Sequence, residues 1–307
     1  MLMTASEVEI LQILRGEHHN PFQILGAHLV SLEGKPAVAI RAYLPHAVSA
    51  TVLPSESGDP VEMINFRGSG FHEAVFEGRD QIFPYRLRLT NPAGHAWEIY
   101  DPYSFWPVLS DFDEHLFAEG TDLKTYDKLG AHPRERGGMP GVFFAVWAPN
   151  ASRVSVVGDF NAWDGSRHPM RSRGLTGLWE LFIPGLVEGV KYKYEIRSRS
   201  GDYVVQKSDP CGFYAEVRPN TASIVFDLDK YEWGDSNWMA ARTERNGFDK
   251  PISIYEVHLG SWRRHLDSTN SWLSYREMAE QLVDYVKEMG FTHIELLPVS
   301  EHPLDAS

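Results

Sequence analysis

Between residues 38 and 100 the chain alternates short apolar runs with polar breaks. The runs 38–42, 50–53, 61–64, 71–76, 85–89 and 96–100 have strand length and are rich in β-branched and aromatic residues. The breaks Ser57-Gly58-Asp59-Pro60, Arg67-Gly68-Ser69-Gly70 and Asn91-Pro92-Ala93-Gly94 carry turn chemistry: glycine reaches positive φ, proline presets its own, and Asn or Asp can close a turn with the side chain. Several short strands at this spacing predict a β-sandwich. Ahead of them Val8, Leu11 and Leu14 repeat at helical spacing up to Gly16, and both Thr4/Glu7 and Ser6/Glu9 fit a capping box. The stretch 18–28 reads as turn-rich rather than as a regular element.

The same pattern then recurs. Arg41-Ala42-Tyr43-Leu44-Pro45-His46-Ala47 lines up with Ala145-Val146-Trp147-Ala148-Pro149-Asn150-Ala151, Tyr85-Arg86-Leu87 with Tyr192-Lys193-Tyr194, and Asp101-Pro102 with Asp209-Pro210. Three matches in one order predict duplicated modules. Past Trp233 the grammar changes: a strand run over 252–258, a capping box at Ser274/Glu277, and Met278, Leu282, Tyr285, Val286 and Met289 on one helical face. Gly290 then stops the helix and a second strand run follows over 292–297. Strand, helix, strand is a βαβ unit, whose crossover makes its strands parallel. The expected fold class is therefore mainly β: two tandem immunoglobulin-like β-sandwich modules followed by the first βαβ unit of an incomplete (β/α)8 barrel. The expected boundaries are 1–118 for the N-terminal helix and first sandwich, 119–232 for the second sandwich, 233–250 for a linker and 251–307 for the start of the barrel. A closed barrel takes about 250 residues, so the expectation is that the chain stops in the opening fraction of that domain. Its apolar strand residues, Ile254 and Ile294 among them, would then be poorly covered.

Composition narrows the classes of function. There are 29 Lys plus Arg against 42 Asp plus Glu, a formal net charge of −13, which argues against nucleic acid as a partner because phosphate binding needs a basic face. A single cysteine, Cys211, excludes an internal disulfide framework and a cysteine-based zinc site. No apolar run is long enough to cross a bilayer and the first residues do not read as a signal peptide, so the expected location is the cytoplasm. Aromatic residues make up 12% of the chain; their faces fill cores and also stack on sugar rings.

Four stretches together resemble the glycogen branching enzymes of the α-amylase superfamily. One is 18–28. The second is Asp101-Pro102-Tyr103-Ser104-Phe105 with Leu116-Phe117-Ala118-Glu119-Gly120 and Leu129-Gly130-Ala131-His132. The third, Phe144-Ala145-Val146-Trp147-Ala148-Pro149-Asn150-Ala151 leading to Gly158-Asp159-Phe160-Asn161-Ala162-Trp163-Asp164-Gly165, is similar to the starch- and glycogen-binding β-sandwich that precedes many such barrels. The fourth is Tyr255-Glu256-Val257-His258-Leu259-Gly260-Ser261-Trp262 with Glu295-Leu296-Leu297-Pro298-Val299-Ser300-Glu301-His302-Pro303, like the first two barrel strands.

The resemblance implies a glycosyltransferase of glycogen biosynthesis that forms α-1,6 branches by a retaining double displacement. It implies an α-glucan (glycogen or amylose) as partner, no membrane, no cofactor, and a monomer at full length. The nucleophilic Asp and acid/base Glu of such enzymes lie beyond Ser307, so no catalytic residue is expected in this chain, and 1–307 by itself is expected to be inactive. Glu301 and His302, with Asp305 on the same loop, would sit on the glucan side of the barrel rim. The binding module that the third stretch resembles uses a Trp at the position of Trp163, with further contacts near Lys193 and Tyr203; the alternative is that Trp163 packs against its own sandwich. His18, His19 and His28 read as part of a turn rather than as a metal site, and no metal is expected. Two further readings stay open: a non-catalytic α-glucan-binding protein, and the N-terminal part of a related debranching or trehalose-releasing enzyme.

Overall fold

A computed structural model gives the architecture, and it describes residues 3–300 apart from 57, 202, 246 and 267–270. The protein is mainly β, and it divides into two compact units, Met1–Lys230 and Tyr231–Ser307.

The first unit holds four antiparallel sheets. One runs Gly26–Leu32, Lys35–Tyr43, Phe71–Glu77, Ile64–Asn65, and a second runs Val61–Glu62, Ser49–Pro54, Tyr85–Thr90, Ala96–Ile99. Val38, Ile40, Val52, Leu87 and Leu89 close a common core between them. A third sheet orders Arg171–Ser172, Leu178–Pro184, Met139–Trp147 and Gly130–Arg136. A fourth orders Ala151–Gly158, Lys191–Ser198, Ser223–Ile224 and Tyr214–Ala215, with Val204–Lys207 also paired to Lys191–Ser198. Val142, Phe144, Val154, Val156, Tyr192 and Tyr194 fill the core between this second pair.

Two central strands, Lys35–Tyr43 and Met139–Trp147, are buried over six successive residues. That continuous burial requires cover on both faces. Helix Glu7–Leu14 covers the outer face of the first sheet through Ile10 and Ile13, which meet Leu25 and Phe71. The connecting stretch around Phe105, Leu109 and Leu129 covers the third sheet over Phe143 and Phe182. A buried glutamate fixes each cover. Glu73, opposite Arg41 in register and 2.7 Å from its Nε, accepts the Thr4 N–H at 2.8 Å and the Thr4 hydroxyl at 2.6 Å. Glu180, opposite Ala145 in register, accepts the N–H groups of Val108 and Leu109 at 3.0 and 2.9 Å. Charge-assisted bonds from an incoming backbone offset the cost of burying each carboxylate; at Glu180 both go to Oε2.

The aligned tyrosine and aspartate pairs make like bonds. The Tyr85 hydroxyl donates to Asp101 Oδ2 at 2.6 Å, while Oδ1 accepts the Tyr103 N–H at 2.9 Å. The Tyr192 hydroxyl donates to Asp209 Oδ2 at 2.6 Å, while Oδ1 accepts the Cys211 N–H at 2.8 Å.

Two local expectations change. The capping box of the first helix uses Ser6 and Glu9, because Thr4 is engaged by Glu73, and its inner face is Ile10/Ile13, with Val8 turned to solvent at 66% exposure. Residues 18–28 contain a short 3-10 turn, Pro21–Gln23, and then enter strand Gly26–Leu32. Helix Asp111–Glu119, capped by Ser110 and Asp113 and ended by left-handed Gly120, is an element that the apolar pattern does not announce.

In the second unit Ile254–Val257 pairs in parallel with His293–Leu296, and helix Tyr275–Glu288 connects them. Met278, Leu282 and Val286 are its buried face, and Val257 joins the last two in a small core. Ile254, Ile294 and Leu296 remain exposed. Among the described residues no helix is long and apolar enough to cross a membrane.

Candidate glucan-binding site

The loop that follows strand Ala151–Gly158 is wound by its own hydrogen bonds. Buried Asn161 accepts the Gly158 N–H at 3.0 Å, donates to Val156 O at 2.8 Å, and donates to His168 Nδ1 at 2.9 Å. Burial pushes His168 down to about 3, with Arg167 and His46 adding to the effect, so its neutral ring is a stable acceptor for that amide. The next two residues, Ala162 and Trp163, both sit at positive φ, 58° and 60°. Left-handed backbone costs about 1–3 kcal/mol at a residue with a side chain and persists where its surroundings over-determine it, which is typical of ligand clamps.

The result is a half-buried indole, its Nε1 donating to Asp159 Oδ1 at 2.9 Å, at one wall of an open cleft of about 460 Å³. Strand Lys191–Ser198 supplies the floor. Side chains alternate along a strand, so Tyr192 and Tyr194 enter the core while Lys191 and Lys193 line the cleft. Lys193 Nζ donates to Thr221 Oγ1 at 2.8 Å, and Lys191 pairs with Glu216 at 2.7 Å. This pairing holds the Glu216 carboxyl below the usual range and raises Lys191. Gln206 Nε2 reaches Trp163 O at 3.4 Å, and Asn220 completes the far wall.

Trp163 and Lys193 are thus brought together. Tyr203 is not among the residues lining the cleft; it stands just before strand Val204–Lys207 and is 63% exposed. Glu301, His302 and Asp305 lie outside the described residues. Asp159, Lys191, Gln206, Glu216, Asn220 and Thr221 line the cleft and were missed by sequence reasoning. The only local signal for any of them is that Asp159 and Lys191 sit beside Trp163 and Lys193 in the two motifs. An aromatic face with amide, hydroxyl, ammonium and carboxylate groups around it suits a ligand with an apolar ring face and a polar rim. Both ammonium groups already have oxygen partners, which makes the cleft a poor phosphate site.

The histidines go elsewhere. His18 and His19 stack on each other at 5.2 Å, and His28 Nε2 donates to Leu25 O at 3.0 Å. Among the described residues no group of three His, Cys, Asp or Glu side chains could hold a metal ion. Cys211 is half-buried and burial raises its thiol. Glu256 and Glu295 stand opposite each other in the parallel pair, within the strands rather than at their ends.

Comparison with known proteins places the chain in a family. The family model described as alpha-1,4-glucan branching enzyme GlgB, N-terminal domain, matches residues 6–103, and carbohydrate-binding module 48 (isoamylase N-terminal domain) matches 128–212, which includes Trp163 and Lys193. The 1,4-alpha-glucan branching enzyme GlgB of Thermosynechococcus vestitus is 48% identical over 99% of this chain and 42% of its own length. That of Paramagnetospirillum magneticum is 51% identical over 96% of this chain and 39% of its own. Among solved structures, the catalytic module of the glycogen-degrading pneumococcal factor SpuA, in complex with an inhibitor, aligns at 24% identity over 62% of this chain and 29% of that one. Its TM-score is 0.43, too low to carry an argument. The chain spans about two fifths of the length of the curated relatives it matches, and over that span it belongs to the family of GlgB 1,4-alpha-glucan branching enzymes, as their N-terminal part.

Proposed function

We propose that this chain is the glucan-holding N-terminal portion of a 1,4-α-glucan branching enzyme, a glycosyltransferase that cleaves an α-1,4 link and rebuilds it as an α-1,6 branch in glycogen. In this reading residues 1–118 and 119–232 are two tandem immunoglobulin-like modules, 233–250 is a linker, and 251–307 opens a (β/α)8 barrel. The parallel pair of strands Ile254–Val257 and His293–Leu296 with its connecting helix supports the last assignment. Retaining transfer needs two carboxyl groups about 5–5.5 Å apart at strand ends, and Glu256 and Glu295, lying within their strands, do not answer to that description. The chain's own part is to bind, so purified 1–307 leaves iodine-stained amylose unchanged.

The observation that carries the reading is Trp163, held at positive φ on the wall of a cleft it shares with Lys193. The indole stacks on a glucose ring while Lys193, Asn220 and Thr221 meet its hydroxyls. Calorimetric titration of maltoheptaose into the full chain tests this. Trp163→Ala weakens binding about tenfold or more, the equivalent of 1.4 kcal/mol, without lowering the melting temperature. Equal affinity in the folded variant would overturn the reading.

A further inference from the structure

The sugar-facing loop is braced by residues more than a hundred positions away, from the first half of the chain. Tyr43, Gly165 and Ser166 line one small crevice. Arg167 Nη2 donates to His46 Nε2 at 3.2 Å. His46 in turn stacks on Trp97 with centroids 5.7 Å apart, which fixes its ring on the first module. A second line reaches the same loop from the end of helix Glu7–Leu14. Arg197 Nη1 donates to Arg15 O at 3.2 Å, the neighbouring Arg153 pairs with Glu195 at 2.5 Å, and Gln206 Nε2 lies 3.4 Å from both Glu195 Oε2 and Trp163 O.

We propose that His46, with Tyr43 packed beside the same loop, is a positioning residue for glucan binding: it holds the 162–167 loop in the strained form that presents Trp163 to an α-1,4-linked glucose chain. This rests on Trp163 being the sugar contact. Two consecutive left-handed residues relax unless the loop is anchored on both sides. Asn161 anchors its start from within the second module, and Arg167 anchors its end on the first through His46. The first module thus acts on the ligand without touching it.

Maltoheptaose affinity of the full chain, measured by titration calorimetry well below each variant's melting temperature, tests this. His46→Ala weakens binding about threefold to tenfold, the range for one lost hydrogen bond. His46→Gln, whose amide oxygen accepts from Arg167, restores affinity to within about twofold of wild type, a rescue that bulk packing would not produce. Arg167→Ala removes the same bond from the loop side and gives a like loss, which keeps the test open if His46→Ala folds poorly. Unchanged affinity in His46→Ala and in Arg167→Ala, alongside a loss in Trp163→Ala, overturns the positioning role and leaves the Trp163 reading standing. Unchanged affinity in Trp163→Ala overturns both.

Discussion

The two tyrosine–aspartate bonds look alike but differ in how much else supports each carboxylate, and that difference fixes the outcome of a matched pair of substitutions. Asp101 receives two donors, the Tyr85 hydroxyl and the Tyr103 N–H, whereas Asp209 receives three: the Tyr192 hydroxyl at 2.6 Å, the Cys211 N–H at 2.8 Å and the Tyr194 hydroxyl at 3.1 Å. Burial pushes Asp101 up to about 6, against the lowering effect of its two hydrogen bonds. Tyr85→Phe removes one of those two. At pH 5 the folded-state Asp101 is already mostly protonated and the loss is that of a neutral hydrogen bond, about 1 kcal/mol. At pH 7.5 the wild-type carboxylate is ionised, while the variant, with a higher pKa, holds its proton further up the scale. The variant's native state therefore binds more protons between these pH values, and the destabilisation must grow with pH. The added cost is capped by the free energy of keeping Asp101 neutral, 1.36 kcal/mol for each unit above 6, or about 2 kcal/mol at pH 7.5. Tyr192→Phe leaves Asp209 two donors and costs about 1 kcal/mol. Hydrogen exchange followed by mass spectrometry reads the strands Tyr85–Thr90 and Lys191–Ser198 separately. Equal losses at the two sites, or a Tyr85→Phe loss that does not rise between pH 5 and 7.5, would refute the reasoning.

Two other outcomes follow from the same coordinates. Gly26 has φ +92°, and a Cβ there would lie 2.5 Å from Tyr103 O, while Gly34 at φ +82° has nothing within 4 Å. Gly26→Ala therefore costs strain plus a backbone clash, about 3 kcal/mol or more, and Gly34→Ala strain alone, about 1 kcal/mol; equal melting temperatures for the two would contradict this. His46 is lowered to about 4, first by burial and then by Arg167 and His72, with Asp164 opposing. Its folded pKa lies below the unfolded value of about 6.5, so its contribution is complete above pH 6.5 and is lost as the pH falls towards 4. Wild type accordingly loses melting temperature relative to His46→Gln over that window, and parallel melting curves for the two proteins would exclude it.

What the sequence could reveal depended on whether the signal was local. The strand runs between 38 and 100 were legible because Gly, Pro, Asn and Asp bracket them, and the helix at Tyr275–Glu288 because capping box, apolar face and Gly290 agree. Strand Gly26–Leu32 was not, since it lies at a sheet edge with most positions only half-buried, and so shows no apolar run. Its one usable mark was Glu33-Gly34, which takes positive φ at both residues, 50° and 82°, and turns the chain back into Lys35–Tyr43 as two-residue hairpin turns do. Helix Asp111–Glu119 buries no residue completely, so periodicity had nothing to report, although Ser110, Asp113 and Gly120 marked both its ends. The cleft divides along the same line. Trp163 and Lys193 lie in motifs; Gln206, Glu216 and Asn220 reach the same cleft from separate segments of the chain. The braces of the sheet covers and of the 162–167 loop were least legible of all. Glu73 and Glu180 look like ordinary polar strand positions, and their partners Thr4 and Val108 stand about seventy residues away. His46 and Arg167 are 121 apart. A motif records a loop, whereas the bond from Arg167 to His46 that ties this loop to the other half of the unit is set by packing. Residue-by-residue transfer of positions from a related module therefore carries over the loop residue without the distant groups that pack against its loop, and only the three-dimensional structure supplies those.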